Sequence, residues 1–190
     1  MLHADATAAL AEYARLFPGE DIGAVRDYLA RHPGDILRSN AAGHVTASGL
    51  VFDGSALLLI FHKKLERFLQ PGGHVESEDA SIHDAAGREV LEETGLTVAP
   101  SPLFPGRVPF NIDAHIIPAR PERDQHEHWH YDFQYLFAPC GGDICIDESE
   151  AGAYRWVSID ADFENVGLNN AARKLRALLA GGDAPEKPAS

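Results

Sequence analysis

Hydrophobic and polar positions along the chain follow two different periods. Ala6 to Phe17 is rich in alanine and leucine and stops at Pro18-Gly19, and Ile22 to Arg31 repeats the pattern before Pro33-Gly34. Both stretches read as helices closed by breaker pairs. Residues 1–38 are therefore expected to form an N-terminal helical extension packed on the main domain, or to supply a dimer contact. From His44 the pattern changes to β-branched, small and apolar residues up to Val51, then a turn signal at Asp53-Gly54, then a continuous apolar run from Ala56 to His62. This predicts a hairpin with one strand deep in a sheet. Phe68-Leu69-Gln70 is a short strand that stops at Pro71-Gly72-Gly73, where the glycines are expected to let the backbone turn sharply and approach a ligand closely.

Residues 80–94 contain almost no helix breakers, and Gly95 closes the stretch as a helix-ending glycine. A strand begins at Thr97-Val98. The four prolines within residues 100–109 enforce irregular structure. Residues 110–117, 126–138 and 154–157 read as strands, and Leu168 to Leu179 as a terminal helix. The main domain is expected over residues 39–180, with a flexible tail from 181 to 190. Helices and strands alternate irregularly, which points to an α/β class with a mixed sheet.

Charge narrows the possible partners. Sixteen basic and 29 acidic residues give a net charge of −13, which repels phosphate backbones and argues against a nucleic-acid interface. A small anionic substrate would need local arginines or bound cations. No apolar run is long enough to span a bilayer, and Met1 to Asp5 do not begin a signal peptide, so a cytoplasmic protein without membrane contact is expected. Cys140 and Cys145, separated by Gly141-Gly142-Asp143-Ile144, read as reduced thiols beside a turn.

The chemistry is concentrated between Gly72 and Leu96. Glu89, Glu92 and Glu93 stand at i, i+3 and i+4, which places three carboxylates on one helical face. Like charges at this spacing are unfavourable unless a cation sits over them. Arg88 can reach Glu92 at i+4 but cannot neutralise three glutamates. A hard divalent ion, Mg²⁺ or Mn²⁺, suits an oxygen-only donor set.

This segment resembles the signature of the Nudix hydrolases, Gly-x5-Glu-x7-Arg-Glu-U-x-Glu-Glu-x-Gly-U, where U is a bulky apolar residue. Here Gly73 is followed by five residues, Asp79, eight residues, then Arg88-Glu89-Val90-Leu91-Glu92-Glu93-Thr94-Gly95-Leu96. The second half matches at every specified position. The first half departs twice, with Asp79 in place of glutamate and one additional residue before Arg88. The resemblance spans roughly residues 40 to 165 and implies an α/β/α sandwich around a mixed β-sheet. It implies hydrolysis of a phosphoanhydride in a nucleoside diphosphate linked to another moiety, or a similar small diphosphate, by metal-activated water. It also implies Mg²⁺ or Mn²⁺ held by Glu89, Glu92, Glu93 and the Gly73 carbonyl, with Arg88, Glu92 and Glu93 the catalytic set. Glu93 itself, Glu148 and Glu150 are candidates for the general base.

A second constellation lies at His126-Glu127-His128-Trp129-His130-Tyr131-Asp132. The two-residue period of a strand puts His126, His128, His130 and Asp132 on one face and Glu127, Trp129, Tyr131 and Phe133 on the other, core-facing side. The polar face reads either as the wall of a substrate cleft, with His128, His130 and Asp132 touching substrate and a second metal site conceivable, or as a solvated surface. His115 is placed to join it, and His74 to meet substrate. Lys63, Lys64 and Arg67 either meet a phosphate or solvate the loop. A non-catalytic ligand sensor and an isoprenoid diphosphate isomerase are the other readings of such a scaffold. The first would lose carboxylates that this chain keeps, and the second would need a cysteine in the pocket.

Overall fold

A computed structural model describes residues 1–63, 65–119, 126–146 and 151–181. Two N-terminal helices, α1 (Leu2–Leu16) and α2 (Gly23–Arg31), precede the strands β1 (Gly43–Val51), β2 (Ala56–His62), β3 (Arg67–Leu69) and β4 (Gly72–His74). Helix α3 (Ile82–Thr94) follows, then β5 (Thr97–Pro100), β6 (Asn111–Ile117), β7 (His128–Gly141), β8 (Ala151–Ser158) and α4 (Val166–Leu179). The class is the expected α/β arrangement around a mixed sheet.

The central pair is β1 and β7, which run parallel from Gly43 opposite Trp129 to Val51 opposite Phe137. β4 lines the outer edge of β1, while β6 and β5 share the far edge of the long β7, all antiparallel. All nine residues of β1 are buried, as expected for a strand covered on both faces. A second sheet has the order β3-β2-β8. The hairpin expected from Asp53-Gly54 is therefore not a paired hairpin. A tight turn forms there, but apart from a single bridge between Phe52 and Leu57 the two strands part into different sheets.

Side-chain alternation along β1 and β7 sets up the layers. On one face Val45, Ala47 and Val51 join Tyr131, Phe133, Tyr135 and Phe137 under α3, together with Leu2, Ala6 and Leu10 of α1 and Val25, Tyr28 and Leu29 of α2. On the opposite face Leu50 and Leu136 pack with Phe104, Phe110 and the apolar stripe of α4 (Leu168, Ala171, Ala172, Leu175). The proline-rich segment 101–110 thus feeds the second core through its two phenylalanines. Helix α3 is closed at both ends: Ser81 accepts from the Asp84 N–H, and Gly95 adopts the left-handed conformation at φ 71°. Asp5 of α1 also accepts from the Ile82 N–H at 2.7 Å, so α1 helps to cap the helix that carries the glutamates. Lys174 of α4 is buried against Tyr13 of α1 and Asn111 of β6, and lies 3.4 Å from Glu20.

α3 crosses β1 closely at Gly49, where an added Cβ would stand 2.2 Å from Cγ2 of Val90. Gly49→Ala is expected to lower stability by about 1–3 kcal/mol through overpacking. Urea unfolding checks this, and Val90→Ala in the same chain is expected to recover part of the loss.

Candidate functional site

The glycine turn, the glutamate helix and the polar halves of β1 and β7 open on one cavity of about 1110 Å³. Gly72 and Gly73 do not make the sharp turn expected of them. They form β4 and pair with Ser48 and Ala47 of β1, and neither has a positive φ. Their smallness serves close approach instead. A Cβ on Gly72 would lie 2.3 Å from Ser48 Oγ, and one on Gly73 would lie 2.7 Å from the carboxylate of Glu89. The Gly72 N–H donates to Glu93 Oε2 at 2.8 Å, which fixes a carboxylate that is only 6% exposed.

Arg88 organises the acidic face. Its Nε and Nη2 donate to the two oxygens of Asp79, both at 3.0 Å, and Nη2 also reaches the His74 carbonyl. Nη1 donates to Glu89 at 2.9 Å and to Glu92 at 2.8 Å. These partners, with the Asp79 bond foremost, raise the guanidinium pKa further above its ordinary value. Asp79 in turn closes its own loop by accepting from the Glu76 N–H. Its carboxylate is thus the bidentate seat of Arg88, a role that spacing alone does not reveal.

One guanidinium faces the three carboxylates it touches, with Glu93 alongside. The donors are all oxygen, they gather on one side of α3, and the missing Cβ of Gly73 leaves Glu89 its place. That arrangement fits a hard divalent ion held by Glu89, Glu92, Glu93 and the neighbouring backbone.

The opposite wall comes from the strands. Thr46 and Ser48 of β1 donate to Asp132 of β7, as do Gln134 and Gln70. Asp132 is 3% exposed, and burial raises its pKa against the opposing hydrogen bonds. The polar strand face expected from the two-residue period is thus a buried wall, not a solvated one. On the other face Tyr131 and Phe133 enter the core as expected, while Trp129 remains 37% exposed. His130 and His115 stand opposite each other on β7 and β6, and His115 is held by Asp113 at 2.9 Å, which raises its pKa. His126 precedes the strand and contributes its carbonyl to His128.

His74, His130 and Asp132 all line the cavity, whereas His128 is packed behind it. Arg67 reaches the cavity, as does Arg38 from the segment after α2. Arg38 was not singled out in the sequence, because an isolated arginine after a breaker carries no pattern. Nor was His44, which sits at the centre of the histidines, with ring centroids 4.6 Å from His130 and 4.9 Å from His128 and His74. The period-two polar series His44, Thr46, Ser48 was the available signal. Lys64, Glu148 and Glu150 lie outside the described residues. Cys140 and Cys145 are exposed free thiols away from the cavity.

Two outcomes follow from this geometry. Asp79→Asn is expected to weaken Mn²⁺ binding by about 10–100-fold, as loss of a supporting partner does. Paramagnetic-resonance titration reads this, and an unchanged affinity would separate the position of Arg88 from the carboxylates. The second concerns pH. Burial first, then the neighbouring His74 and His128, depresses the His44 pKa to about 4, against about 6.5 when unfolded. Between these values the unfolded chain binds more protons, so stability is full above the higher value and falls as pH drops towards the lower. Metal-free protein is expected to lose about 1–2 kcal/mol from His44 by pH 5, and His44→Leu to flatten that slope in urea titrations.

A family model described as the NUDIX domain matches residues 43–178. Among solved structures, a UDP-X diphosphatase is similar at TM-score 0.54 and 13% identity, covering 93% of this chain and 80% of its own. An Ap4A hydrolase binary complex from C. elegans aligns at TM-score 0.52 and 19% identity, covering 72% and 98%. An ADP-ribose pyrophosphatase from Streptococcus suis aligns at TM-score 0.50 and 18% identity, covering 76% and 95%. Among curated proteins none matches by sequence. The structural likenesses establish the fold, and the domain match, covering most of the chain and including the Arg88–Glu93 helix, establishes that this chain belongs to the Nudix hydrolase family.

Proposed function

We propose that the protein hydrolyses a phosphoanhydride bond in a nucleoside diphosphate linked to another moiety, or a similar small diphosphate, with Mg²⁺ or Mn²⁺ as cofactor. The observation that carries this reading is the shared cavity. The carboxylates of α3 form one wall of it, and Arg38, Arg67, His74 and His130 stand around it. In a chain of net charge −13, such a local gathering of cationic and hydrogen-bonding groups is what an anionic substrate requires.

Glu89, Glu92, Glu93 and the Gly73 carbonyl are the proposed metal donors. A hard cation bound there would polarise phosphoryl oxygens and acidify a bound water. The residues of the chain supply the remainder. Arg38 and Arg67 pair with phosphate oxygens as charge-assisted donors. Arg88, spent on Asp79, Glu89 and Glu92, positions carboxylates and leaves substrate contact to others. His74 and His130 border the bound diphosphate, with Asp132 and His128 supporting that wall. Glu93, fixed by the Gly72 N–H, takes the proton of the attacking water, and Glu148 and Glu150 are the other candidates for that task. An isomerase that depends on a pocket cysteine is disfavoured by the position of both cysteines.

The named activities of the structural neighbours, on a dinucleotide, ADP-ribose and a UDP derivative, define a suitable panel, to which nucleoside triphosphates and non-nucleotide diphosphates belong. Product release is expected from one class, abolished by chelator and lowered about 10²–10⁴-fold in Glu93→Gln. Divalent-cation binding without turnover of any member would instead favour a ligand sensor.

A further inference from the structure

The chemistry assigned to α3 leaves the packing of three imidazoles unexplained. His44 is 3% exposed, and neither of its ring nitrogens meets a hydrogen-bond partner in good geometry, the Asn40 backbone standing beside the ring as a weak one. Burying a polar ring in that state is unfavourable unless something else satisfies it. The β1–β7 register sets His44 directly beside His130, and His128 lies two residues earlier on the same strand face. One nitrogen from each of the three lies within 4.8 Å of the others.

The tautomer of His128 is legible. Its Nδ1 faces the His126 carbonyl at 2.8 Å, which accepts only from an N–H. The Nε2 lone pair therefore turns inward, 3.3 Å from Nε2 of His130. A backbone carbonyl orienting one ring nitrogen while the other points at a shared centre is the usual support of a metal-bound histidine. Two nitrogens each about 2.0–2.1 Å from a tetrahedral ion stand about 3.3–3.4 Å apart, which is the spacing of His128 and His130, and a His44 nitrogen lies within 4.8 Å of both.

We propose that His44, His128 and His130 bind one borderline transition-metal ion of the Zn²⁺ class, at a site separate from the carboxylates of α3. Three neutral nitrogen donors favour such an ion over Mg²⁺ or Mn²⁺, which prefer oxygen. His130 also lines the cavity, so the ion joins β1 to β7 where those strands form its wall. His74 supplies a further imidazole beside it, and three protein ligands leave a position for that ring or for water.

The test uses untagged, full-length protein stripped of metal. Zn²⁺ is titrated against a chromophoric chelator in excess Mg²⁺, which occupies the oxygen donors of α3. One Zn²⁺ per chain is expected, with a Kd of about 1 µM or tighter, and Co²⁺ in its place is expected to give the intense visible bands of a four-coordinate nitrogen site. His44→Leu and His130→Gln are each expected to weaken Zn²⁺ binding at least about 100-fold, more than loss of a supporting hydrogen bond gives. The triple variant Glu89→Gln, Glu92→Gln, Glu93→Gln is expected to bind as tightly as the parent. His44→Leu removes an unpaired buried ring, so its metal-free Tm should equal or exceed that of the parent while the Zn²⁺-induced rise disappears. Zn²⁺ binding that survives both histidine variants, that vanishes in the glutamine variant, or that needs millimolar ion would overturn the proposal.

Discussion

The guanidinium of Arg88 is the constraint on which the acidic side of the cavity depends. Three carboxylates on one turn of a helix repel one another, and a fourth, Asp79, is brought in from the preceding loop. Arg88 touches Asp79, Glu89 and Glu92 and also the carbonyl of His74. It therefore ties the helix, the loop before it and the strand β4 into one unit. Bidentate pairing with Asp79 fixes the plane of the guanidinium, and the plane decides which glutamates the remaining nitrogen can reach. A lysine has no such fork. Among the described residues Arg88 is the cation seen on these carboxylates, and a divalent ion would add positive charge to the same face.

The other wall follows from a different rule, the alternation of side chains in two parallel strands. One face of β1 and β7 is apolar throughout and closes the core under α3. The other is divided. His44, Thr46, Ser48, His130, Asp132 and Gln134 form its polar half, and Leu50 and Leu136 begin its apolar half under α4. The division places a buried carboxylate within reach of two hydroxyls and two amides, so its cost is offset by hydrogen bonds. The same division sets the imidazoles at the mouth of the strands, where fewer donors are available to satisfy them.

These two rules differ in how far they can be read from the chain. The helix of Glu89, Glu92 and Glu93 was legible because helical spacing is local, and so was its end at Gly95. The polar and apolar faces of β7 were legible for the same reason, as was the pair of N-terminal helices. What lay hidden depends on pairing across long sequence separations. His44 meets His130 only because β1 and β7 are parallel neighbours in one particular register. Asp79 meets Arg88 only once the loop after β4 folds back over α3. Asp53-Gly54 has the signature of a hairpin because a tight turn does form there, and the sequence of a turn does not say whether its two strands stay in one sheet. Gly72 and Gly73 carried a correct signal with the wrong cause: their neighbours, not their dihedral angles, demand the missing Cβ.

The N-terminal helices show how the extension bears on the site without belonging to its motif. Asp5 of α1 accepts from the first turn of α3, and a carboxylate at a helix N-terminus complements the helix dipole as well as an orphan N–H. Tyr13, further along α1, packs on the buried Lys174 of α4, and the segment after α2 brings Arg38 to the cavity. Helices α1 and α3 thus share a core, and the glutamate helix is anchored at its start by a residue far earlier in the chain. A change in α1 would therefore reach the carboxylates through the seating of α3, before it reached any loop. Arg38 and Arg67, by contrast, line the cavity from exposed positions and take no part in the Arg88 network, so the acidic wall does not depend on them.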